Sequence, residues 1–396
     1  MKNQKNILYV GGFELPDKNA AAHRVINNSK LFSKINYSLY FNGINKSIKS
    51  DDQDFRELHA DEFFFYSKAV RYPDSVIKWF FYITSISKVK KIIEDDLKEN
   101  ISFVIAYNYP ALKLWRLKKY CSKRGIKIIA DVTEWYQPEG SFFLKTIKII
   151  DNIARMRFVH YKMDGLIVIS NYLLNFYKRK KCIKLPPLVD KNAIKWHNNK
   201  IYTENKIITL TYVGSPGAGK KDRLDLIIGS LSQIKDEAPE FLFQIIGISE
   251  LEYKNSFPKQ TVPDNIKEQV FFFGRMEHTE AIEKLKSTDF SIFLRNNNLV
   301  NTAGFPTKFV ESINLGIPVL TNNTSDLADY LINGKSGFIL DMSTPERLNY
   351  TLRNAILSDS EQIFEMKKHC ESNFSFHYQE YIDQTNEFLN IVLNEN

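Results

Sequence analysis

Short apolar runs alternate with longer stretches of helical periodicity along the whole chain. Runs of strand length separated by helical patterns are typical of a parallel sheet covered by helices on both faces. The runs of the first half are NILYVGG, YSLYFNG, EFFFY, SFVIAYN, IKIIAD and GLIVIS, and those of the second half are IITLTYVG, FLFQIIG, VFFFG, FSIFLR, IPVLTN and SGFIL. The pattern therefore predicts an α/β protein with two Rossmann-like, doubly wound domains.

A polar segment separates the two series of runs, and Pro186–Pro187 at its start stops regular structure. We predict a first domain over 1–185, a linker over 186–205 and a second domain over 206–370. A C-terminal helix in 371–396 follows, and packing back across the junction is one placement for it. Ligands of doubly wound sheets lie at the carboxyl ends of the strands, so we expect the two domains to face each other across a cleft.

Charge is divided unevenly between the two halves of the 396-residue chain, whose net charge is +8. Residues 1–185 hold 33 Lys and Arg against 18 Asp and Glu, whereas the remaining residues hold 21 against 28. The asymmetry predicts that the first domain meets an anionic partner. Its mixed aromatic and basic stretches, such as WFFYITSISKVKK, are of a kind that lies on anionic lipid headgroups, although the same aromatics can belong to a core.

Several classes of protein are not indicated by the sequence. No apolar run approaches the ~18 residues of a membrane span, and the first apolar run is too short for a signal peptide. The three cysteines have no pattern, which suits a reducing cytoplasm, and the seven histidines have no metal-ligand spacing. No nucleic-acid motif is visible. We expect a cytoplasmic protein without metal or cofactor, with peripheral attachment to the inner face of the cell membrane.

The stretch LTYVGSPGAGKKDRLDLII has the spacing of a phosphate-binding loop, with Gly214, Gly219 and Lys220 in place. The next residue is Lys221, where a nucleotide triphosphatase needs a Ser or Thr for Mg²⁺. The pattern therefore favours a phosphate loop that works without the metal. A purely structural glycine-rich turn is the alternative.

A second candidate anion site lies in NTAGFPTKFVESINLGIPVLTN, after a strand that ends at Arg295. A loop containing Gly304 and Pro306 leads into a helix, and the unpaired amides of a helix N-terminus bind anions. Lys308 can add a point charge, and Glu311 can accept hydrogen bonds from ribose hydroxyls. An ordinary strand–helix unit with a solvated Lys–Glu pair is the alternative.

Taken in order, these motifs resemble the donor-site signature of family-4-type retaining glycosyltransferases of GT-B fold. Glu311 and GIPV match the second half of that signature, Ala303 stands where the family has its first Glu, and Ser215 stands where it has an Arg. GFPTK resembles a variant among capsule and surface-polysaccharide transferases. The resemblance implies a nucleotide-sugar site formed by Gly214, Ser215, Lys220, Lys221, Gly274, Ala303, Gly304, Phe305, Pro306, Thr307, Lys308 and Glu311, with Arg295 supplying the missing charge.

The acceptor side is predicted in the first domain. Asp131 and Glu134 follow a strand where the family often has a His, and either could orient an acceptor hydroxyl or stabilise positive charge on the anomeric carbon. A helix N-cap is the other interpretation of Asp131. The first loop resembles the family's glycine-containing loop, with Gly12, His23 and Arg24 as phosphate or acceptor contacts, and a polar helix face is the alternative for His23.

We therefore expect a retaining glycosyltransferase that moves a sugar from a nucleotide-sugar donor to a saccharide or lipid-linked acceptor in surface polysaccharide assembly. Asp131, Glu134, Lys221 and Arg295 are the predicted catalytic residues. A sugar-nucleotide epimerase or hydrolase on the same fold and a non-catalytic sugar-nucleotide or glycan-binding module are the alternatives.

Overall fold

The computed structural model describes residues 5–16, 18–60, 63–98, 100–136, 140–198, 207–216, 221–373 and 376–394. It divides the chain into two compact units. Unit 1 contains Met1–Asp190 together with His377–Asn396, and unit 2 contains Lys191–Phe376. The chain passes from unit 1 to unit 2 inside the segment predicted as a linker. It returns to unit 1 at His377, beyond residue 370, where the second domain was predicted to end.

Unit 1 is built on an eight-stranded sheet in the order β10-β9-β8-β7-β1-β2-β5-β4, parallel except for the antiparallel pair β4–β5. A separate parallel pair joins β3 and β6. In chain order the strands are β1 (Lys5–Gly11), β2 (Tyr37–Asn42), β3 (Ile44–Asn45), β4 (Arg56–Ala60), β5 (Phe63–Ser67), β6 (Val70–Arg71), β7 (Phe103–Tyr107), β8 (Lys127–Val132), β9 (Gly165–Val168) and β10 (Cys182–Lys184).

Unit 2 has a six-stranded parallel sheet in the order β13-β12-β11-β14-β15-β16. Its strands are β11 (Ile208–Val213), β12 (Phe241–Ile246), β13 (Val270–Gly274), β14 (Phe290–Phe293), β15 (Val319–Thr321) and β16 (Gly337–Ile339). All twelve apolar runs are strands, and the prediction of two doubly wound α/β domains is confirmed. The strand order reverses between β1 and β7 and between β11 and β14, which is where such sheets bind ligands.

The helices connect these strands. They are α1 (Ala20–Lys34), α2 (Val76–Thr84), α3 (Ser87–Lys91), α4 (Ala111–Ser122), α5 (Phe142–Ala154), α6 (Asn171–Phe176), α7 (Leu224–Gln233), α8 (Glu250–Ser256), α9 (His278–Leu285), α10 (Leu299–Ala303), α11 (Thr307–Asn314), α12 (Pro345–Ile356), α13 (Ser360–Asn373) and α14 (Ile382–Leu393). Short π-helical turns, Ile92–Asp96 and Arg155–Val159, continue α3 and α5. Within the described part of the chain, no helix has the length and apolar character needed to cross a bilayer.

The last helix, α14, belongs to the core of unit 1. Phe388, Leu389 and Val392 join the same buried cluster as Tyr9 of β1. A Cβ atom on Gly165 would lie 2.8 Å from both the Phe388 ring and Val392, so only glycine lets α14 approach β9 this closely.

Candidate functional site

Unit 2 brings several predicted residues together where its strand order reverses. Gly214 follows β11, Arg295 follows β14, and Asp222 pairs with Arg295 in an isolated antiparallel bridge. The loop GSPGAGKKD therefore ends beside the residue that closes FSIFLR, although the two are separated by 73 positions.

Four buried or largely buried side chains form what we call the Asp222 cluster: Tyr212, Asp222, Arg295 and Lys308. The Tyr212 hydroxyl donates to Asp222 Oδ2 over 2.9 Å, and Arg295 Nε donates to Asp222 Oδ1 over 2.9 Å. Lys308 Nζ forms an ion pair with Asp222 Oδ2 and lies 4.2 Å from the centre of the Tyr212 ring. Two cations thus surround one carboxylate, which leaves an excess of one positive charge.

The protonation of the cluster follows from this arrangement. Burial opposes a charge on Asp222, but Lys308 and Arg295 overcome it and hold the pKa of Asp222 well below its usual range. Burial lowers the pKa of Lys308, and the attraction of Asp222 offsets only part of this. Arg295 Nη1 is buried and has no hydrogen-bond partner among the described residues. An anion is the ligand that would satisfy both the charge and this nitrogen.

Gly214 makes the close approach of Lys308 possible. Its φ is +137°, and a Cβ atom there would lie 2.9 Å from Lys308 Nζ. Beyond it, Ser215 is exposed and Lys221 is half-buried, with the Lys221 backbone N–H donating to the Pro216 carbonyl over 2.9 Å. Lys220 and the later glycines of the loop, Gly217 and Gly219, lie outside the described residues, so the predicted phosphate contact of Lys220 stays a prediction.

The second predicted anion site is the start of α11. Pro306 precedes this helix and no side chain caps it, while Thr307 and Lys308 stand in its first turn. Ala303 and Phe305 are buried, and the Phe305 ring packs edge-on against Phe309, Tyr330 and Phe376. Gly304 is also buried, and its carbonyl accepts a hydrogen bond from Ser325 Oγ. The side chains of Ala303 to Pro306 therefore shape the loop from inside, and the Gly304 N–H is already engaged by the Val300 carbonyl.

Glu311 lies one turn further along α11, with its side chain 20% exposed. Its Oε1 lies 3.6 Å from His278 Nε2 at the start of α9, and the His278 ring meets Trp196 edge-on. Gly274, which ends β13 with a φ of +66°, accepts a hydrogen bond from the Gly247 N–H. The sequence reasoning missed His278, because nothing in its local pattern relates it to Glu311.

In unit 1 the structure places Asp131 and Arg24 in the interior, as part of what we call the Asp131 cluster: Tyr9, Arg24 and Asp131. Tyr9 donates to Asp131 over 2.5 Å, and Arg24 Nη2 donates to Asp131 over 2.7 Å. Arg24 Nη1 donates to the Leu185 carbonyl over 2.9 Å. Asp131 is 0% exposed and lies in β8, so the N-cap interpretation is wrong. A direct contact of either residue with an acceptor would require this cluster to open.

Glu134 lies nearer to solvent than Asp131 and is half-buried. Its Oε1 accepts a hydrogen bond from Asn108 Nδ2 over 3.4 Å, and the same nitrogen donates to Thr133 Oγ1 over 2.6 Å. Arg155 Nη1 in turn donates to the Asn108 carbonyl over 3.2 Å. A polar group thus stands at the carboxyl ends of β7 and β8, and Glu134 is its carboxylate.

In the first loop, the predicted ligand contacts of Gly12 and His23 stay predictions. Gly12 is exposed, and a Cβ atom there would lie 3.9 Å from the Tyr82 hydroxyl, whereas His23 is half-buried on α1. Among the described residues, no group of three His, Cys, Asp or Glu side chains could hold a metal ion. The absence of a metal requirement stays a prediction.

Comparison with known proteins agrees with this arrangement. Residues 195–373 match the family described as glycosyl transferases group 1, a range that includes the Asp222 cluster, His278 and Glu311. No curated protein matches the chain by sequence.

Solved structures share the fold over nearly the whole chain. Sucrose-phosphate synthase from Thermosynechococcus elongatus is 12% identical, with a TM-score of 0.69 over 97% of this chain and 98% of that one. HepE of Anabaena in complex with UDP is 11% identical, with a TM-score of 0.61 over 97% and 99%. The lipopolysaccharide outer core galactosyltransferase WaaB is 14% identical, with a TM-score of 0.57 over 96% and 99%. The chain therefore has the GT-B fold of two Rossmann-like domains, and the second of them matches the family of glycosyl transferases group 1.

Proposed function

We propose that the protein is a retaining glycosyltransferase. Its unit 2 would bind the diphosphate of the nucleotide-sugar donor through the excess positive charge of the Asp222 cluster. Lys308 and Arg295 already share one carboxylate, and Arg295 Nη1, which has no partner in the described part of the chain, offers a further donor. Lys221, next to Asp222 in the chain, and the uncapped amides at the start of α11 add to the same site. Negative charge grows on the leaving diphosphate towards the transition state, so preorganised cations in this position accelerate transfer.

Glu311 would hold the ribose of the donor. It stands three residues after Lys308 on α11 and remains partly exposed. His278 beside it would orient the carboxylate. Because the structurally similar HepE was solved in complex with UDP, UDP is the first nucleotide to test.

Thermal-shift titration with UDP, GDP, ADP and CMP, each free and linked to a sugar, tests the donor proposal. A hydrogen bond to a carboxylate contributes about 1.5–3 kcal/mol, so Glu311→Ala should weaken nucleotide binding at least ~10-fold. The melting temperature of the ligand-free protein should change little. Glu365→Ala, an exposed position on α13, is the matched control. No nucleotide-induced shift in the wild type, or equal affinity in E311A and E365A, would contradict the proposal.

On the acceptor side, we propose that Glu134 orients the acceptor hydroxyl and that the acceptor is a saccharide, free or lipid-linked, of a surface polysaccharide. The GFPTK variant and the fold shared with a lipopolysaccharide galactosyltransferase support this class of product. Asp131 would act through Arg24 and the packing of β8, without touching the substrate.

Unit 1 also carries a surface suited to a membrane. α2 and the region of α5 expose large apolar side chains: Val76, Ile77, Phe80, Phe81, Phe142, Ile150 and Phe158, each 55–88% exposed. Lys119, Lys145 and Lys162 are exposed around them, and Lys119 lies 3.6 Å from the centre of the Trp115 ring. Apolar side chains ringed by lysines bind an anionic bilayer surface. We therefore propose peripheral attachment of unit 1 to the inner face of the cell membrane.

Vesicle flotation tests this attachment. The protein should float with vesicles containing an anionic phospholipid, and salt should release it because the attraction is screened within ~10 Å at 0.1 M. Replacing Ile77 and Phe80 by Ser should abolish flotation. Leu251→Ser, which removes a side chain 69% exposed on unit 2, should not. Equal flotation with neutral and anionic vesicles, or none with either, would contradict the proposal.

A further inference from the structure

A cavity of about 440 Å³ lies in unit 1, beside Gly11 at the end of β1. Its volume falls within the ~300–1,000 Å³ range of small-molecule sites. Its walls come from β2, β6, α2, α3 and α4. The hydroxyl and ammonium groups on these walls include those of Tyr82, Ser85, Ser87, Lys88, Tyr109 and Lys113. The function proposed above does not use it.

Lys113 is the unusual side chain of this cavity. Three lysines are buried among the described residues, namely Lys30, Lys113 and Lys286. Lys30 Nζ pairs with Asp190 over 2.8 Å, and Lys286 Nζ pairs with Glu283 over 2.5 Å. Lys113 is only 8% exposed, yet its Nζ forms no hydrogen bond or ion pair with any described residue. A buried cation without a counter-charge is costly to fold, so a ligand that supplies the charge fits the site.

Aromatic rings take the place of the missing carboxylate. Lys113 Nζ lies 4.5 Å from the centre of the Tyr82 ring and 4.7 Å from that of the Tyr109 ring. Such contacts favour the charged form less than a carboxylate does. Burial, with a smaller contribution from Lys88, lowers the pKa of Lys113 to about 7.

The other cations on the cavity wall each have a carboxylate partner. Lys88 pairs with Asp51 over 2.6 Å, while Arg71 and Lys78 share Asp74 over 2.7 and 2.9 Å, so these three cations keep an excess of one positive charge. The hydroxyls of Ser85 and Ser87, 3.0 Å apart, add neutral donors to the same wall. The cavity therefore combines an excess of positive charge, with Lys113 unpaired by any carboxylate of the described residues, and neutral donors, which is the composition that binds a phosphate group.

An apolar groove of about 490 Å³ lies on the other side of the same two helices. α2 directs Phe81 and Tyr82 to the cavity and Phe80 and Ile83 to the groove. α4 likewise places Lys113 at the cavity and Trp115 at the groove. A ligand with an anionic group joined to an apolar chain matches both sides of this pair of helices.

We infer that the Lys113 cavity binds the phosphate of a lipid-linked acceptor, with the lipid chain lying in the groove between α2, α4 and α5. This inference rests on the proposed function, because it assigns a substrate class to the acceptor side of the same enzyme. A neutral saccharide acceptor would leave Lys113 uncompensated, and a free phosphate would leave the groove empty.

Isothermal titration with n-octyl phosphate, n-octanol and inorganic phosphate tests the inference. Octyl phosphate should bind the wild type more tightly than either of its two parts. Lys113→Met should weaken octyl phosphate binding about 10- to 100-fold, because a charged hydrogen-bonding partner is lost, while octanol binding stays unchanged. Lys113→Arg should retain most of the affinity. Lys123→Met, which removes an exposed cation at the C-terminal end of the same helix, is the matched control and should bind as the wild type does.

Equal octyl phosphate affinity in K113M and wild type, or octanol binding as tightly as octyl phosphate, would overturn the inference. If K113M does not fold, the wild-type comparison of the three probes and the K113R variant decide. UDP titration of the same proteins separates this inference from the donor proposal. UDP binding without octyl phosphate binding removes the Lys113 site alone, whereas loss of UDP binding in every protein contradicts the donor proposal.

Discussion

The two units contain buried clusters built on the same plan but with different charge. In each, an aspartate at the carboxyl end of the sheet accepts a hydrogen bond from a tyrosine of the unit's first strand and from an arginine. In unit 1 a single arginine meets a single carboxylate, and all three guanidinium nitrogens of Arg24 donate hydrogen bonds. In unit 2, Lys308 adds a second cation, and Arg295 keeps one nitrogen without a partner among the described residues.

We interpret this difference as the one between a structural cluster and a proposed binding site. A balanced pair whose donors are all engaged has nothing left to offer a ligand, so the Asp131 cluster stabilises unit 1. A cluster with an extra cation keeps an excess of positive charge and a hydrogen-bond donor without a partner among the described residues, and an anion can bind to both. Substitutions of Arg24, Lys308 and Lys113 test the comparison, and the expected effect decreases in that order.

Arg24→Met should have the largest effect, and that effect should be on stability. It leaves the Asp131 carboxylate buried without its cation, which typically costs about 3–5 kcal/mol. The melting temperature of the variant should fall by roughly 10 °C or more, because each kcal/mol lost shifts it by ~2–4 °C in a domain of this size. Combining Arg24→Met with Asp131→Leu should recover most of the loss, since both charges are then gone. Donor binding by the folded fraction should match the wild type, and a selective loss of UDP affinity would assign Arg24 to the substrate site.

Lys308→Met should act on turnover instead. Removing one preorganised cation from a developing negative charge commonly costs about 10²–10³ in rate. The melting temperature should change little, because burial already lowers the pKa of Lys308 and the Asp222 cluster keeps Arg295 as counter-ion. Sugar transfer measured in the presence of EDTA is the assay, since we propose that the cations take the place of a metal in this site. Unchanged turnover in the variant, or wild-type activity that EDTA abolishes and Mg²⁺ restores, would contradict this role.

Lys113 extends the comparison to a buried cation with no carboxylate partner among the described residues. The effect of replacing it on stability depends on pH. Its pKa is about 7 in the folded protein, below the ~10.4 of an unfolded lysine, so unfolding binds a proton between these values. The cost of burying Lys113 is therefore full below pH 7 and shrinks as pH rises. Lys113→Met should melt at a higher temperature than wild type at pH 6.5, and this gain should fall by about 1.4 kcal/mol per pH unit above 7. A gain that stays constant from pH 6.5 to 9 would show that Lys113 is not buried as a cation.

Local pattern predicted the strands well but not the contacts that make the sites. Every apolar run became a strand, and in inner strands such as β1 and β7 burial on both faces requires a continuous apolar sequence. The edge strand β4, with the sequence RELHA, was missed because it is polar and largely exposed. Asp131 was predicted as a ligand contact from its place after a strand, yet its partner Arg24 lies 107 positions away and withdraws it from solvent.

The same limit applies to the donor site and to the Lys113 cavity. Family resemblance supplied Lys308 and Glu311, whereas Asp222 and His278 are found only through long-range pairing. Lys113 does carry a local signal, since it falls on the helix face of Leu117 and Cys121 with spacings of four and eight residues. A lysine on the apolar face of a helix indicates a buried cation, but the sequence does not say whether a carboxylate meets it.

The route of the chain between the units has a consequence for biosynthesis. Val189 and His377, on either side of unit 2 in the sequence, are bridged to each other, and the Tyr378 N–H donates to the Val189 carbonyl over 3.0 Å. Unit 2 is therefore an insertion within unit 1. During translation the group 1 domain is synthesised in full before the core of unit 1 has received Phe388, Leu389 and Val392. The ribosome thus delivers the later half of the sequence as the first finished domain, and the first half completes its core only when α14 emerges.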